Sequence, residues 1–446
     1  MNAPPKLCFL LISFWSFEFS RNSVQNLTRN RFNSWRLGNM KFSIFSTISF
    51  AALLFVALFA GSTLCNLFLH DAASRHKRDT TLVFPSHKAH RQFKSISSPL
   101  SLLSVKREVE EACIKDPPPS INVTEQQGIA RFHRKPLEFE ILRPTALARQ
   151  FARRAGKFFQ SRCEMKFFMT WISPARTFRR REFFALESLF KAHPHGCLMI
   201  LSATMDSRHG GHILKPLHDR GFKVLAVTPD LPYLFENTAA ITWFDEIKKG
   251  NKDPGEIPLA QNLSNLLRLA VLYKYGGVYM DTDFIILKKF SGLRNSIGAQ
   301  SMDAETGSWT RLNNAVLVFD KNHPLLLNFM EEFSITFNGN KWGYNGPYLV
   351  SRVTQRVEKM PGYNFTVLPP MAFYPVAWNK IDGFFQRPQN PAMSRWISAK
   401  LHQLSGETYG VHLWNRMSRR LRIEEGSIIG RLISDHCIIC EDIYSA

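Results

Sequence analysis

Acidic side chains are in short supply in this chain: 36 Asp and Glu stand against 57 Lys and Arg, a formal net charge of +21 over 446 residues. Glycine and proline, 24 of each, are too sparse for a collagen or a proline-rich linker protein. Seven cysteines are too few for a small disulfide scaffold. With 45% hydrophobic residues, a wholly disordered chain is excluded as well. The basic excess is uneven. Residues 1–166 hold 25 of the basic side chains and 11 of the acidic ones, so two-thirds of the excess lies in the first third of the chain. A nucleic-acid binder carries its basic patch on the folded domain, and here it lies outside it, which argues against nucleic acid as a partner.

One segment lacks charge altogether. Residues 42–69 (FSIFSTISFAALLFVALFAGSTLCNLFL) hold no Asp, Glu, Lys or Arg. About 20 helical residues cross a bilayer core, so this run is long enough to span. Arg29, Arg31, Arg36 and Lys41 precede it, and a mixed flank follows (Asp71, Arg75, Lys77, Arg78, Asp79). The positive-inside rule then predicts a cytosolic tail, residues 1–41, and a luminal remainder. A cleaved signal peptide, with Ala60-Gly61-Ser62 as its small residues, is the alternative and suits a shorter run. Met40 offers a second start, which would make residues 1–39 an upstream extension. Residues 70–164 show no sustained periodicity and carry Ser, basic runs and Pro117-Pro118-Pro119, the composition of a luminal stem. Within it, residues 143–159 read as a basic amphipathic helix or a solvated lead-in to the domain. Sequons stand at Asn26, Asn122, Asn262 and Asn364, of which Asn122 suits a luminal stem. Cys113, Cys163, Cys197, Cys437 and Cys440 fall on the luminal side, where disulfides persist; their connectivity is open, and Cys437-Ile-Ile-Cys440 reads as a disulfide element rather than zinc.

Residues 165–446 read as one α/β domain. Strands are expected at 166–172, 197–202 and 223–227, with helices at 181–191 and around 213–217 between them. That alternation predicts parallel βαβ units, a Rossmann-like, mostly parallel sheet with helices on both faces. Ligands of such sheets bind beyond the carboxyl ends of the strands. The strongest helix covers 258–275, with Leu259, Leu263, Leu266, Leu267 and Ala270 on an apolar face and Gln261, Asn265 and Arg268 on a polar one. Gly276-Gly277 ends it. A strand is expected over 278–287 (VYMDTDFIIL), apolar except at Asp281, Thr282 and Asp283. At i and i+2 the two aspartates face one side. Paired carboxylates in apolar surroundings call for a cation, and Mg²⁺ or Mn²⁺ takes oxygen ligands and bridges them to phosphates.

The block Asn265-x-x-Arg268…Tyr275-Gly-Gly-Val-Tyr-Met-Asp-Thr-Asp283 resembles the Asp-x-Asp sugar-binding region of GT-A nucleotide-sugar transferases. More narrowly, the chain is similar to the plant alpha-1,4-glycosyltransferase family, over roughly 165–446. Trp309-Thr-Arg-Leu-Asn313-Asn314, Asn345-Gly-Pro347 and Val411-His412-Leu-Trp414-Asn415 follow in the same order. At Asn265 the chain departs from the Asp that many sugar transferases place before the Arg. The resemblance implies a GT-A fold behind a Golgi signal-anchor and stem, and a retaining, metal-dependent hexosyltransferase. Its donor would be a UDP-sugar (galactose or N-acetylglucosamine) and its acceptor a glycan or glycolipid. It places Asp281, Asp283 and His412 on Mn²⁺ or Mg²⁺. Arg268 would fork onto phosphate or hold the aspartates. Asn265, Gly276, Gly277, Asn313, Asn314, Asn345 and Trp414 would line the substrate. No carboxylate stands out as a nucleophile, Asp303, Glu305 and Asp435 included, which favours same-face attack without a covalent intermediate. The alternatives are a glycoside hydrolase, which needs two acids flanking a bond, and a catalytically silent carbohydrate-binding or scaffold protein that keeps the fold.

Overall fold

The computed structural model describes residues 136–445. The apolar span at 42–69, the tail, most of the stem, Asn26, Asn122 and Cys113 lie outside the described residues. No helix among those described is long and apolar enough to cross a membrane.

A seven-stranded sheet forms the centre. Its strands are β1 (Lys166–Thr170), β2 (Cys197–Leu201), β3 (Lys223–Val227), β4 (Gly277–Met280), β6 (Ser296–Met302), β7 (Trp309–Phe319) and β8 (Thr366–Leu368), in the order β3-β2-β1-β4-β7-β6-β8. All pairings are parallel except those of β7, which runs against β4 and β6. The mostly parallel sheet expected from the strand–helix alternation is therefore present, with one reversed strand inside it.

Both faces are covered, and the side-chain period of two says how. Phe167 and Met169 of β1 join one core with Phe184, Leu186 and Leu189 from the helix Arg180–Ala192. Phe168 between them joins a second core with Leu263, Leu266 and Leu267 from the helix Leu259–Tyr275 and Phe329 from Pro324–Thr336. Each aliphatic or aromatic side chain buried this way contributes about 1.5–3 kcal/mol. Packing extends N-terminal of β1: the helix Phe151–Gln160 buries Phe151 and Ala155, and Arg154 pairs with Asp206 at 2.7 Å. A disulfide joins Cys163 to Cys197 at the start of β2, and another joins Cys437 to Cys440.

The single strand expected over 278–287 is two. β4 stops at Met280, residues 281–283 turn, and β5 (Phe284–Ile286) pairs antiparallel with β9 (Gly410–His412) in a separate two-stranded sheet. Asp281 makes the last bond to the large sheet, its N–H donating to the Ala315 carbonyl at 2.8 Å. The two hydrophilic aspartates do not continue a ladder between apolar layers. They form the joint at which the chain leaves one sheet for another.

Gly276 and Gly277 sit at the opposite end of β4. Their φ angles are +63° and +124°. A Cβ on Gly276 would stand 2.6 Å from the Lys321 nitrogen, and one on Gly277 2.4 Å from the Lys166 carbonyl oxygen. Their role is the helix-to-strand turn. Strand rise is about 3.3 Å per residue, so four residues put them at the far end of the strand from Asp281. The substrate-lining role expected of Gly276 and Gly277 is corrected accordingly.

Candidate active site

Asp281, Asp283 and His412 meet at the joint between the sheets, with a ligating atom from each lying within 4.8 Å of the others. The reason is the β5–β9 pairing, which sets Phe284 opposite His412 and closes with the Leu413 N–H donating to the Asp283 carbonyl at 2.8 Å. His412 Nε2 lies 3.4 Å from Asp283 Oδ1 and 4.0 Å from Asp281 Oδ2. The aspartates converge as expected, through the turn rather than through strand alternation.

Each carboxylate has its own support. Asp281 Oδ1 accepts from the Tyr279 hydroxyl at 2.8 Å and lies 3.2 Å from Arg268 Nη2. Behind them runs a ring of hydroxyls. Arg268 Nη2 donates to Ser264 Oγ at 3.0 Å, Ser264 Oγ lies 2.7 Å from Thr170 Oγ1, and Thr170 Oγ1 lies 2.8 Å from the Tyr279 oxygen. Each hydroxyl has one hydrogen to give. Since Tyr279 spends its own on Asp281, Thr170 donates to Tyr279 and Ser264 to Thr170. The ring therefore has one proton order and ends on the carboxylate at both sides. Asp283 Oδ2 accepts from the Asn415 backbone N–H at 2.8 Å.

Burial drives the electrostatics apart. It raises Asp281 above the usual carboxylate range; Arg268 opposes it and the Asp283 charge adds to it. Burial pushes Asp283 the same way, but His412 and the Asn415 N–H outweigh it and hold Asp283 low. Burial lowers His412, and the two aspartates more than reverse that. Two carboxylates and an imidazole share one small space with a single buried guanidinium. Two oxygen donors and one nitrogen donor fit a hard-to-borderline divalent ion such as Mn²⁺ or Mg²⁺. The Asn415 Oδ1, buried and without a partner, is a further unspent oxygen beside them.

Arg268 is 3% exposed. Its Nε donates to the Ser264 carbonyl at 3.2 Å and its Nη1 to the Asn314 carbonyl at 2.7 Å, while its guanidinium lies 4.4 Å from the Tyr279 ring centre. Of the two roles open to it, the geometry gives it the aspartate-holding one, and its phosphate fork is corrected. Asn345 is corrected too: its Nδ2 donates to Asn262 Oδ1 and the Asn338 carbonyl, and its Oδ1 accepts from the Asn338 N–H. It clamps the loop 338–346 to the site helix instead of offering donors to a sugar. That clamp also buries Asn262, which puts its sequon out of reach. Asn313 binds Gln300 and the Ala315 N–H, and Asn314 donates to Asn265 Oδ1 at 3.0 Å. All three asparagines are buried, so they frame the site. Trp414 donates its indole N–H to the Val376 carbonyl at 3.0 Å, and its ring meets His412 edge-on at 4.5 Å. It buttresses the histidine. Its φ of +54° is a strained backbone for such a residue.

Sequence reasoning missed Tyr279, although its place two residues before Asp281 in a strand was the signal for a shared face. It also gave no sign that the backbone N–H of Asn415 would hold Asp283. Asp303 is occupied by the Glu305 and Thr306 N–H groups of its exposed loop, and Glu305 and Asp435 are exposed. Glu182 feels the Asp283 charge, but its Oε2 caps the Arg179 N–H at 2.9 Å.

Residues 179–303, which include Asp281 and Asp283, match the glycosyltransferase sugar-binding region containing the DXD motif. Residues 318–444, which include His412, match the alpha 1,4-glycosyltransferase conserved region. Fold and sequence together define a glycosyltransferase. Human lactosylceramide 4-alpha-galactosyltransferase is 32% identical over 269 residues, 57% of this chain and 70% of that one. The chain belongs to the alpha-1,4-glycosyltransferase family. Human alpha-1,4-N-acetylglucosaminyltransferase is 27% identical over 220 residues, 47% of this chain and 58% of the relative. An uncharacterized Arabidopsis thaliana protein is 30% identical over 295 residues, 64% of this chain and only 44% of the relative's own length.

Proposed function

We propose that this chain transfers a hexosyl group from a UDP-sugar to a glycan or glycolipid, with retention of configuration, using a divalent cation held by Asp281, Asp283 and His412. The observation that carries the reading is the convergence of those three side chains at the sheet-to-sheet joint. Galactose and N-acetylglucosamine are the favoured donor sugars, because the two human relatives are named for them.

The chemistry asks for little else. When bound, a divalent ion supplies Lewis-acid stabilisation of the charge that a diphosphate gains as its bond to the sugar breaks. The chain's own residues prepare the place. Arg268 and Tyr279 fix Asp281 through one oxygen, and its other oxygen faces His412. The Asn415 N–H fixes Asp283 in the same manner. Neither carboxylate has to reorganise to meet a cation. No side chain stands out as a covalent nucleophile, so same-face attack by the acceptor hydroxyl is the favoured course. Recovery of a glycosyl–enzyme adduct by mass spectrometry would overturn that part. The reading includes a Golgi location, taken from the family resemblance, with residues 42–69 as a type II signal-anchor that would leave the site luminal; protease protection of a C-terminal tag in sealed microsomes checks the topology.

The test uses the full chain with UDP-galactose and UDP-N-acetylglucosamine, scoring UDP release. Turnover is expected with Mn²⁺, with at least a hundredfold loss in chelator and in Asp283→Ala. Equal turnover in chelator or in that variant sinks the metal site. No turnover with any UDP-sugar sinks the donor reading.

A further inference from the structure

A glycosyltransferase must hold an acceptor hydroxyl beside its donor, and nothing yet described does so. Large apolar side chains left exposed are informative when they cluster at a site. Among those exposed here, Trp342 (50%) stands on the loop 338–346 and Tyr348 (43%) in the first turn of the helix Pro347–Val357 that follows it. Tyr348 Cε2 lies 3.1 Å from where a Cβ on Gly343 would be, which brings the two rings onto adjoining backbone. Arg416 lies 3.7 Å from the Trp342 ring centre, and Arg311 lies 4.4 Å from that of Tyr348. Among the described residues, neither arginine pairs with a carboxylate within 4 Å.

The chain path ties this pair to the aspartate site from two sides. Arg416 directly follows Asn415, whose N–H holds Asp283. On the other side, Asn345 ties the loop to Asn262, and Gly346 passes so close to Asn265 that a Cβ would lie 2.9 Å from its Oδ1. Asn265 and Arg268 share the helix that supports Asp281. Two exposed rings, one on the pinned loop and one on the helix that follows it, each with a guanidinium against it, form a surface suited to stacking and hydrogen-bond donation.

We propose that Trp342 and Tyr348, flanked by Arg416 and Arg311, bind the acceptor, taking a pyranose of a neutral glycan by its apolar C–H face. A pyranose offers one face of C–H bonds and a rim of hydroxyl acceptors. Aromatic faces carry partial negative charge that suits the first, and guanidinium donors suit the second. The assignment rests on the donor reading above and names what the same site binds on its acceptor side.

The experiment uses the full chain with p-nitrophenyl β-lactoside as probe acceptor. Trp342→Ala is expected to raise the acceptor KM and to lower the ratio of transfer to UDP-sugar hydrolysis by about tenfold or more. Trp342→Phe is expected to recover most of that ratio, which a merely structural role would not predict. Saturation-transfer NMR with the lactoside, in the presence of UDP and Mn²⁺, reads binding without chemistry; contact to the sugar protons is expected in the wild type and lost in Trp342→Ala. An unchanged ratio, a fall in hydrolysis parallel to transfer, or undiminished saturation transfer in the variant overturns the assignment. Saturation transfer that depends on Trp342 in a chain without UDP-sugar turnover upholds it and discards the donor reading instead.

Discussion

Two clusters in this molecule bring carboxylates into buried space with other ligating side chains, and they are treated in opposite ways. At Glu187, fully buried, one oxygen accepts from three successive backbone N–H groups, Ile438 at 2.7 Å, Ile439 at 2.6 Å and Cys440 at 3.1 Å. The sulfurs beside it are tied to each other in the Cys437–Cys440 disulfide. Backbone donors hold that oxygen, while Glu187 Oε1 stays buried without a partner, and the cluster closes the C-terminal turn onto the helix Arg180–Ala192. At Asp281 and Asp283 two charges share one guanidinium, one imidazole, one tyrosine hydroxyl and one backbone N–H between them, and Asp281 keeps a quarter of its side chain open. One carboxylate ties down a chain turn beside sulfurs already joined in a disulfide, while two others converge with an imidazole, and that difference separates a structural site from a ligand site without any appeal to ancestry.

The largest expected effect breaks that contrast directly. Asp283→Asn should remove donor turnover by a factor of about a thousand. It should lower the unfolding midpoint by a small amount, because His412 and the Asn415 N–H hold Asp283 low and its charge therefore adds to stability at neutral pH. Glu187→Ala should reverse that balance. Three buried N–H groups lose their acceptor, which costs about 3 kcal/mol or more, while the metal dependence of the remaining folded protein persists. Urea unfolding and UDP release, measured on both variants, decide it. An Asp283→Asn destabilised as much as Glu187→Ala, or a stable, inactive Glu187→Ala, would reverse the assignment of the two clusters.

A smaller effect sharpens the comparison from inside the site. Tyr279→Phe keeps the ring under Arg268 and deletes only the hydroxyl that donates to Asp281. Outer hydrogen bonds of this kind change metal affinity by about 10–100-fold. Mn²⁺ titration of UDP release should therefore shift rightward by that factor with the maximal rate less affected. An unshifted titration would mean that Arg268 alone orients the carboxylate.

Much of this was legible in the residues and some was not, for local reasons. The strands at β1 to β3 could be read because apolar runs with helices between them have few other solutions. The helix ending at Gly276 could be read because its apolar repeat is long and its stop is a glycine pair. The break between β4 and β5 was hidden, since both halves carry the same β-branched and aromatic residues and the deciding partner, β9, lies about 130 residues away. For the same reason, the meeting of His412 with the aspartates came from resemblance and not from periodicity. The asparagines and Arg268 could be nominated by type but not assigned. Whether a polar group serves a ligand or the fold depends on who else takes its hydrogens, and that is set by tertiary packing.

The smallest effect concerns a second contrast, between two buried histidines. His412 is raised by the aspartates around it. His193 is held by burial down to about 4. Its Nε2 accepts from the Phe290 N–H at 3.1 Å, its rings of contact are Phe167 and Phe290, and its Nδ1 has no partner. A proton on it would put a charge among phenylalanines. The ordinary value of about 6.5 holds in the unfolded chain, so between about 4 and 6.5 the unfolded state binds more protons. Stability at His193 is therefore complete at neutral pH and is lost as pH falls through that window. The loss is under about 1 kcal/mol between pH 7 and pH 6 and on the order of 2 kcal/mol by pH 5. His193→Gln keeps an acceptor for the Phe290 N–H and removes the titration. Its unfolding free energy, measured against the wild type at each pH, should close the gap by those amounts on acidification; a gap that stays constant would mean that His193 is already protonated in the folded protein or never feels the core around it.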